Sequence, residues 1–435
     1  MFPSSLRAYA LNAPASIFNR LTQIPTLRSP HRLLRPSLLN FRPKSSTAVQ
    51  QSLVNQTQVS VTLATHLFSN KFPNSNVVFS PLSIHVVLSL VAAGAKGQTL
   101  DQILAFLKSN SVDELNNLSS HLMSMILTDG SPMGGLCLCC ANGVWVEKTL
   151  SLKHSFKQVV DNVYKATCDH VDFQNKAADV VKEVNSWAEK QTNGLIEKIL
   201  HADAVNKNTW LIFANAIYFK GEWDQKFDSS ETKESDFHLL DGSKVQVPFM
   251  TSTEKQFVAE YDDFKVLALS YLQGQDTREF TMYIFLPHAK DGLRSLIEKI
   301  SSSSDFFDSH VPQQKVKTGK FLIPKFKISS GFKACDVLKE LGLLLPFSDE
   351  HGLTEMVDLS VGQRGYALDI HHKSFMEVNE DGTEAAAVTT FRVGCARMVK
   401  PNVDFVADHP FLFVIREDVT GAVLFMGQVV DPSVD

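Results

Sequence analysis

The sequence predicts a single large α+β domain built on extended β-sheets. Apolar residues at helical spacing dominate the first third of the body, whereas runs of aromatic and β-branched residues of strand length fill the middle and the C-terminal part. From about Gln51 to Asp435 the chain has no Pro/Gly linker, no repeat and no long charge block. Helices in one part and strands in another are typical of the α+β class.

Two helices are predicted near the start of this body. In Gln56–Phe72 apolar residues recur at the spacing of a helix. Pro81–Ala93 shows the same rhythm, with Ser80 placed to cap its first turn and Pro81 at the first helical position. Strands are expected at Asn142–Val146, Leu211–Phe219, Phe280–Leu286, Lys320–Ile328, Phe405–Ala407, Phe411–Ile415 and Ala422–Val430, with a turn at Thr420 and Gly421 before the last.

The composition argues against two classes of protein. The 435 residues include 44% apolar and 20% charged residues and carry a net charge of −5, which supports a large core and gives no electrostatic reason to bind nucleic acid. No apolar run approaches the roughly 18 residues that a membrane-spanning helix needs. We therefore expect neither a nucleic-acid nor a membrane partner.

The first fifty residues differ from the rest. Residues 1–50 contain seven Arg or Lys, recurrent Ser and Pro, and no acidic residue, the first being Asp101. This composition is typical of a transit peptide and predicts a plastid or mitochondrial protein. A disordered extension, a misassigned start codon, and a location in the cytosol or outside the cell stay open. A secretory signal fits less well because Arg7 and Pro14 interrupt Leu6–Leu21.

The cysteines do not predict a disulfide scaffold. They lack even spacing and occur at Cys137, Cys139, Cys140, Cys168, Cys335 and Cys395. The uneven cysteine spacing indicates a reducing compartment. The Cys137–Cys140 cluster could bind a metal or form part of a buried strand, and the lack of a second Cys or His pair at zinc spacing favours the strand. We expect no metal site and no cofactor.

Common enzyme signatures are missing from the sequence, which has no nucleophile elbow, phosphate-binding loop, dinucleotide fingerprint or His-Glu-x-x-His motif. Asp408, His409 and Ser433 are the residue types of a hydrolase triad. Adjacent residues on a strand point to opposite faces, however, so Asp408 should not orient His409. His371 and His372 begin a strand-like run, where a histidine is usually packed with one hydrogen bond.

One strand-like segment, Val378–Arg397, has no evident partner. With a period of two, the face from Thr383 to Cys395 carries no charge, whereas the other face carries both charges. A polar, flexible Glu-Asp-Gly sequence precedes this alternation, and no proline interrupts it. An ordinary strand and a short helix seeded by Glu384–Ala387 both fit the pattern, and the pattern alone does not say where such a strand would pair.

Four separated segments carry a family resemblance: Asn76–Ile84 (NVVFSPLSI), Phe213–Trp223 (FANAIYFKGEW), Glu380–Ala387 (EDGTEAAA) and Phe405–Phe413 (FVADHPFLF). In this order they resemble the serpins, most closely the plant branch, and the resemblance extends over residues 51–435. It implies the serpin fold, with three β-sheets, about nine helices and an exposed reactive-centre loop at about residues 380–404.

The resemblance also implies a function. It predicts a suicide-substrate inhibitor of endopeptidases, namely serine proteases and papain-like or other cysteine proteases. The protease is trapped in a covalent 1:1 complex when the cleaved loop enters the main sheet. The protein would be a monomer and not an enzyme. The alternative is a non-inhibitory serpin-fold binding protein, which proline, charge or bulk on the inward face of the hinge would indicate; the sequence has none there.

Individual residues take the roles of the family positions that they match. The resemblance implies a hinge at Glu380, Gly382, Thr383, Glu384, Ala385, Ala386 and Ala387, a salt bridge between Lys325 and Glu380, a shutter beneath the parting strands at Ser80, Ser83, Asn215 and His372, and a breach tryptophan at Trp223. Small residues in the hinge let the loop enter the sheet quickly. His371 keeps its interpretation as a packed residue.

The family's register also predicts the bond that a protease cleaves. Fourteen residues past Gly382 lies Ala396, so the bond would be Ala396–Arg397. A loop one residue longer would instead place Arg397 at the specificity position. Alanine fits the small pocket of elastase-like proteases, whereas arginine fits a pocket with a buried carboxylate, as in trypsin or Arg-selective cysteine proteases. The register favours Ala396–Arg397.

Overall fold

The computed structural model describes residues 47–303, 305–348, 352–358, 367–383 and 403–434. Its α-helices are α1 (Thr47–His66), α2 (Pro81–Ala93), α3 (Gly97–Leu107), α4 (Val112–His121), α5 (His154–Asn162), α6 (Phe173–Gln191), α7 (Leu293–Ser301), α8 (Phe306–Ser309) and α9 (Ala334–Glu340). The nine α-helices within these ranges agree with the number expected.

The strands are β1 (Val77–Phe79), β2 (Cys137–Glu147), β3 (Ser151–Leu152), β4 (Thr167–Val171), β5 (Thr209–Glu222), β6 (Lys233–His238), β7 (Lys244–Met250), β8 (Gln256–Glu260), β9 (Phe264–Ser270), β10 (Phe280–Pro287), β11 (Lys315–Val316), β12 (Thr318–Pro324), β13 (Phe326–Lys333), β14 (Val357–Asp358), β15 (Ala367–Val378), β16 (Gly382–Thr383), β17 (Val403–Val406), β18 (Phe411–Glu417) and β19 (Val423–Val429). The predicted strands are thus confirmed, apart from one division described below.

Three large sheets organise the described strands. A six-stranded sheet has the order β13-β15-β16-β5-β2-β4, a seven-stranded sheet β1-β19-β18-β10-β9-β8-β11, and a four-stranded sheet β17-β12-β7-β6. The short strands β3 and β14 form a separate pair. The predicted α+β fold with three sheets is confirmed.

The helix α2 occupies the centre of the fold. Ser80 precedes it, and its hydroxyl oxygen accepts a hydrogen bond from the Ser83 N–H at 3.2 Å, while Pro81 takes the first helical position. Every residue from Pro81 to Ala92 is buried, because the helix is apolar on all sides and packs against both β5 and β19. The predicted bounds of this helix are confirmed.

Two sequence predictions needed adjustment. The first helix begins at Thr47, earlier than its apolar rhythm indicates, and a π-helical turn at Leu67–Lys71 continues it. The single strand predicted at Lys320–Ile328 was wrong, since Lys325 separates β12 from β13 and the two strands belong to different sheets. Pro324, which has no N–H to donate to a ladder, ends β12 at this point.

The strand β5 is buried on both faces. Alternate residues such as Phe213 and Phe219 belong to the main core, whereas Ile212 and Ala214 pack with α6 in a second, smaller core. The six-stranded sheet therefore has an inner face toward the main core and an outer face that α6 partly covers. Among the described residues, no helix is long and apolar enough to cross a membrane, and no cluster of three or more potential ligands could hold a metal ion.

Candidate functional site

The centre of the six-stranded sheet changes its pairing along its length. The parallel strands β5 and β15 pair directly from Thr209 opposite Ala367 to Ile217 opposite Ser374. Beyond this level the two-residue strand β16 lies between them and runs antiparallel to both. We call the first part of this boundary its closed end and the second its hinge end. A strand antiparallel to both neighbours has therefore begun at the hinge end.

Gly382 and Thr383 fit tightly between their neighbours. Gly382 pairs with Glu222, and Thr383 pairs with Gly221 on one side and Val378 on the other. A Cβ atom on Gly382 would overlap the backbone of Gly221 and Glu222, so only glycine allows this close approach. Both residues are buried, and the position of Thr383 fixes which face of any continuing strand points toward the main core.

Two aromatic residues hold this end of β16. The hydroxyl groups of Tyr271 and Thr383 lie 2.7 Å apart, and burial raises the pKa of the Tyr271 phenol, which therefore stays protonated. Trp223 stacks on Tyr271 with a centroid distance of 4.6 Å, and its indole N–H donates to the Asn379 carbonyl oxygen at 2.9 Å. Trp223 is thus a core residue that also binds the hinge backbone.

Glu380 has a charged and a neutral partner. Its carboxylate lies 2.9 Å from the Lys325 ammonium and accepts a hydrogen bond from the Thr232 hydroxyl at 2.7 Å. Desolvation acts to raise the pKa of Glu380, but the hydrogen bonds from Thr232 and Lys325 outweigh it and lower the pKa. The carboxylate is therefore ionised at neutral pH.

A polar cluster, consisting of Ser80, Ser83, Asn142, Asn215, His372 and Ser374, lies at the closed end. The Ser80 N–H donates to His372 Nε2 at 3.1 Å, and the Ser374 hydroxyl lies 2.8 Å from the same nitrogen. Since Nε2 accepts, the neutral ring carries its proton on Nδ1, 3.5 Å from Ser83 Oγ. Burial lowers the pKa of His372 to about 3.

Asn215 shares this level of the sheet without binding His372. The two residues are register partners on β5 and β15, but the Asn215 amide donates to Asn142 Oδ1 at 2.9 Å. Asn215 Oδ1 is buried and has no hydrogen-bond partner among the described residues. The structure therefore joins Ser80, Ser83 and His372 directly, and places Asn215 beside them with spare hydrogen-bonding capacity.

Comparisons with known proteins show which family this chain belongs to. A family model described as "Serpin (serine protease inhibitor)" matches residues 54–432. The chain belongs to the serpin family. It is 55% identical to Serpin-ZX of Arabidopsis thaliana over 88% of this chain and 99% of the relative, and 51% identical to Serpin-ZXA of Oryza sativa subsp. japonica over 88% and 97%.

Solved serpin structures show the same fold. The structure of Arabidopsis AtSerpin1 in its native stressed conformation has a TM-score of 0.83 and 53% identity, covering 90% of this chain and 100% of that chain. A structure of human thyroxine-binding globulin, solved as a complex, has a TM-score of 0.73 and 25% identity and covers 89% and 100%. Because a binding globulin shares the serpin fold, the fold alone does not determine the function.

Part of the predicted site lies outside the described residues of this serpin. This applies to Glu384, Ala385, Ala386, Ala387, Ala396 and Arg397. Their roles stay predictions.

Asp408 and His409 contact each other, contrary to the expectation from strand geometry. The pair lies after the end of β17 and not within a strand, and His409 Nδ1 is 2.8 Å from Asp408 Oδ1. Two adjacent residues can thus contact when the backbone is not pleated. His409 Nε2 is already bound to the Pro287 carbonyl at 2.7 Å, and the Ser433 hydroxyl donates to Asp431. His409 therefore has no free nitrogen to serve as a base for Ser433.

Sequence reasoning missed several residues of the site. No local pattern marks the two residues that contact the hinge, Tyr271 and Lys226. The same is true of two members of the polar cluster, Asn142 and Ser374. His371 is buried as expected, yet its Nε2 has no hydrogen-bond partner in the described part of the chain. The only sequence signal that could have distinguished the roles of the two histidines is the alternation of β15, which points His371 outward and His372 inward.

Proposed function

We propose that this serpin is a suicide-substrate inhibitor of endopeptidases. The observation that supports this most directly is β16, which has started a strand between β5 and β15 and lies antiparallel to both. An additional strand in this place could form hydrogen bonds with β5 on one side and with β15 on the other. Cleavage of the segment after Thr383 would remove its tether to β17 and let it continue β16 into the sheet.

The available length fits this proposal. In an antiparallel pair, each step forward on one strand matches a step back on the other. Twelve steps beyond Thr383, Cys395 would reach Thr209, the first residue of β5; eleven steps beyond, Gly394 would reach Ala367, the first residue of β15. A strand inserted along the boundary between β5 and β15 would therefore reach the end of that boundary just before the predicted cleavage site at Ala396.

The side chains also fit. Because the Thr383 side chain contacts Tyr271 in the main core, every second residue after it would face inward. This face carries Ala385, Ala387, Thr389, Phe391, Val393 and Cys395. The charged residues Glu384 and Arg392 would face outward, so insertion would bury neither charge in the main core.

The covalent step follows ordinary acyl-transfer chemistry. The nucleophile of the protease attacks the bait carbonyl, the peptide C–N bond breaks as an acyl C–O or C–S bond forms, and the base of the protease passes the proton to the leaving amine. Water would normally hydrolyse the acyl-enzyme. In this proposal insertion outpaces that hydrolysis and distorts the active site of the protease. Before cleavage, a kinetic barrier keeps the protein in its uninserted form, which is not the most stable one.

The experiment uses trypsin, an elastase and a papain-like protease. Each is incubated with the protein, covalent complexes are detected on denaturing SDS gels, and the C-terminal fragment is weighed by mass spectrometry. We expect an SDS-stable 1:1 complex, and a rise in melting temperature on cleavage. A fragment beginning at Arg397 would assign Ala396 to the specificity position, whereas one beginning at Met398 would assign Arg397. Cleavage with neither a complex nor a rise in melting temperature would instead favour a non-inhibitory binding protein.

A further inference from the structure

The two acidic residues before the hinge glycine each contact a different lysine. Glu380 pairs with Lys325, which lies between β12 and β13, whereas an Asp381 carboxylate oxygen lies 3.3 Å from the ammonium of Lys226, just after β5. The same ammonium lies 2.9 Å from the Glu222 carboxylate. Lys226 thus bridges the end of β5 and the start of β16, and the resemblance to other serpins did not predict it.

The backbone around Lys226 also holds the hinge. The N–H groups of Trp223 and Phe227 donate to the carbonyl oxygens of Asp381 and Glu380, both at 2.9 Å. The segment from residue 223 to residue 227 therefore follows the hinge backbone, with Lys226 inside it. The Lys226 side chain is only 27% exposed and that of Asp381 18%, so water screens this pair less than it screens a pair on the open surface.

The charges explain why a cation is needed there. Glu222 and Asp381 both have a carboxylate oxygen within 3.3 Å of the Lys226 nitrogen, and Gly382, the residue after Asp381, pairs directly with Glu222. Without Lys226, two like charges would face each other where β16 joins β5. Although desolvation opposes it, hydrogen bonding to Glu222 and Asp381 raises the pKa of Lys226.

We propose that Lys226 is a positioning residue for loop insertion, because its bridge between Glu222 and Asp381 holds the start of β16 in register on β5. This inference rests on the proposed function. Gly382 and Thr383 are already paired, so insertion extends β16 without breaking the bridge. Lys226 therefore acts as an anchor that stays in place, and it favours trapping over hydrolysis by presenting the next residues to the opening between the strands.

The test compares variants that remove one member of the bridge. Lys226→Met keeps the aliphatic chain and removes the charge, Asp381→Ala removes the hinge carboxylate, and a third protein carries both. The readout is the number of inhibitor molecules consumed per protease trapped. We expect each single variant to raise this number by about two- to fivefold, and the double variant to raise it no further, since both act through one contact.

Glu222→Gln tests the charge argument. Placed in the Lys226→Met background, it removes the repulsion on Asp381 and should restore part of the trapping. Lys157→Met is the control for removing a paired lysine, because Lys157 lies 3.0 Å from Asp161 on α5 in a more exposed pair that is far along the chain from the hinge. It should leave the consumed number unchanged.

The possible failures are distinguishable. If Lys226→Met lowers the melting temperature but leaves the consumed number at the wild-type value, or if the two single effects multiply, Lys226 is not a positioning residue for insertion. If the wild-type protein forms no complex with any protease, the proposed function fails. The anchor is then judged by the rate at which each nicked protein gains heat stability, which Lys226→Met should slow by the same factor and a purely structural lysine would leave unchanged.

Discussion

The hinge end and the closed end of the β5–β15 boundary differ in how well their polar groups are bound. At the hinge end, which is already parted, Glu380, Thr383 and Trp223 all have hydrogen-bond partners. At the closed end, which the proposed insertion would part, Asn215 Oδ1 and His371 Nε2 are buried without a partner among the described residues. Each such group costs about 1–3 kcal/mol.

This difference indicates which end is ready to change. In the proposed insertion, a well-bound hinge end would keep the beginning of the new strand in place, whereas the incompletely bound closed end would lose fewer hydrogen bonds when its strands separate. Polar groups with unused capacity can also bind a new strand. Continued in register, Thr389 would lie level with both Asn215 and His372.

The largest effect is expected from Thr383→Arg at the hinge end. Thr383 is fully buried, and an unpaired guanidinium in its place would cost several kcal/mol. We expect the yield of SDS-stable complex to fall by at least about a hundredfold, while cleavage continues. Densitometry of complex and nicked protein measures this.

Thr383→Ser keeps the hydroxyl for Tyr271 and is the control, so it should form nearly as much complex as the wild type. Normal trapping by Thr383→Arg would contradict the view that β16 is where insertion begins.

Acid should weaken the closed end before the hinge end. At the closed end, burial lowers the pKa of His371 from 6.5 to about 4 and that of His372 to about 3. Elsewhere in the fold, inside α2, burial also lowers the pKa of His85 to about 4. Between these lowered pKa values and pH 6.5, the histidines of the unfolded chain bind protons that those of the folded protein do not. The stabilising contribution of neutral histidine is therefore complete above pH 6.5 and is lost toward pH 4 or 3, by about 1.4 kcal/mol per pH unit for each histidine.

One buried acid opposes this trend. Burial raises the pKa of Asp418 from 3.8 to about 6, so its contribution is present below pH 3.8 and is lost as the pH rises through 6. Between pH 6 and 4 it offsets about one of the three histidines. Melting temperatures from pH 8 to 4 should fall in this window, and His371→Phe should make the fall shallower. A flat profile would contradict the assignment of neutral, buried histidines.

His372→Ala should weaken the closed end at any pH. It leaves the Ser80 N–H and the Ser374 hydroxyl without their acceptor and opens a cavity, so we expect the free energy of unfolding to drop by about 2–4 kcal/mol. Ser374→Ala, which removes only one donor, is the control and should cost less. Denaturant unfolding of the intact and the cleaved protein measures both. Equal losses in the two forms would show that the cluster does not distinguish the closed sheet from the opened one.

How far the sequence predicted the fold depends on the range of the interactions. Ser80 and Pro81 define the start of α2 locally, and the aromatic and β-branched run at Leu211–Phe219 defines most of β5. The division at Lys325 was missed because both halves have strand composition, and only the assignment to different sheets separates them. Local signals predict elements, whereas the sheet that each strand joins depends on distant residues.

The same distinction applies to the site. The family resemblance, and not any spacing, pointed to Lys325 and Glu380, which lie 2.9 Å apart in the structure. Tyr271 and Lys226 were missed, because Tyr271 is 112 positions from Thr383 along the chain and a lysine after a strand has no recognisable pattern. The bait residues at Ala396 and Arg397 lie outside the described residues, so their role is still a prediction.

The smallest effect is expected from Glu380→Gln, back at the hinge end. Glutamine can still accept the Thr232 hydrogen bond, so the variant removes only the charge that faces Lys325. Lys325 is 36% exposed, and such pairs contribute about 0.2–1 kcal/mol. We expect a loss of stability in that range, measured by denaturant unfolding at pH 7.

Salt and pH separate the charge from the hydrogen bond. At 1 M NaCl, where the screening length is about 3 Å, the difference between wild type and Glu380→Gln should largely disappear. Because the pKa of Glu380 lies below 4.5, the contribution of its charge is present above pH 4.5 and is lost as the pH falls below it. Lys325→Met should give the same loss. A difference that persists in high salt would show that the hinge end is held by the bond to Thr232 and the backbone contacts of Trp223 and Phe227, with the ion pair adding little.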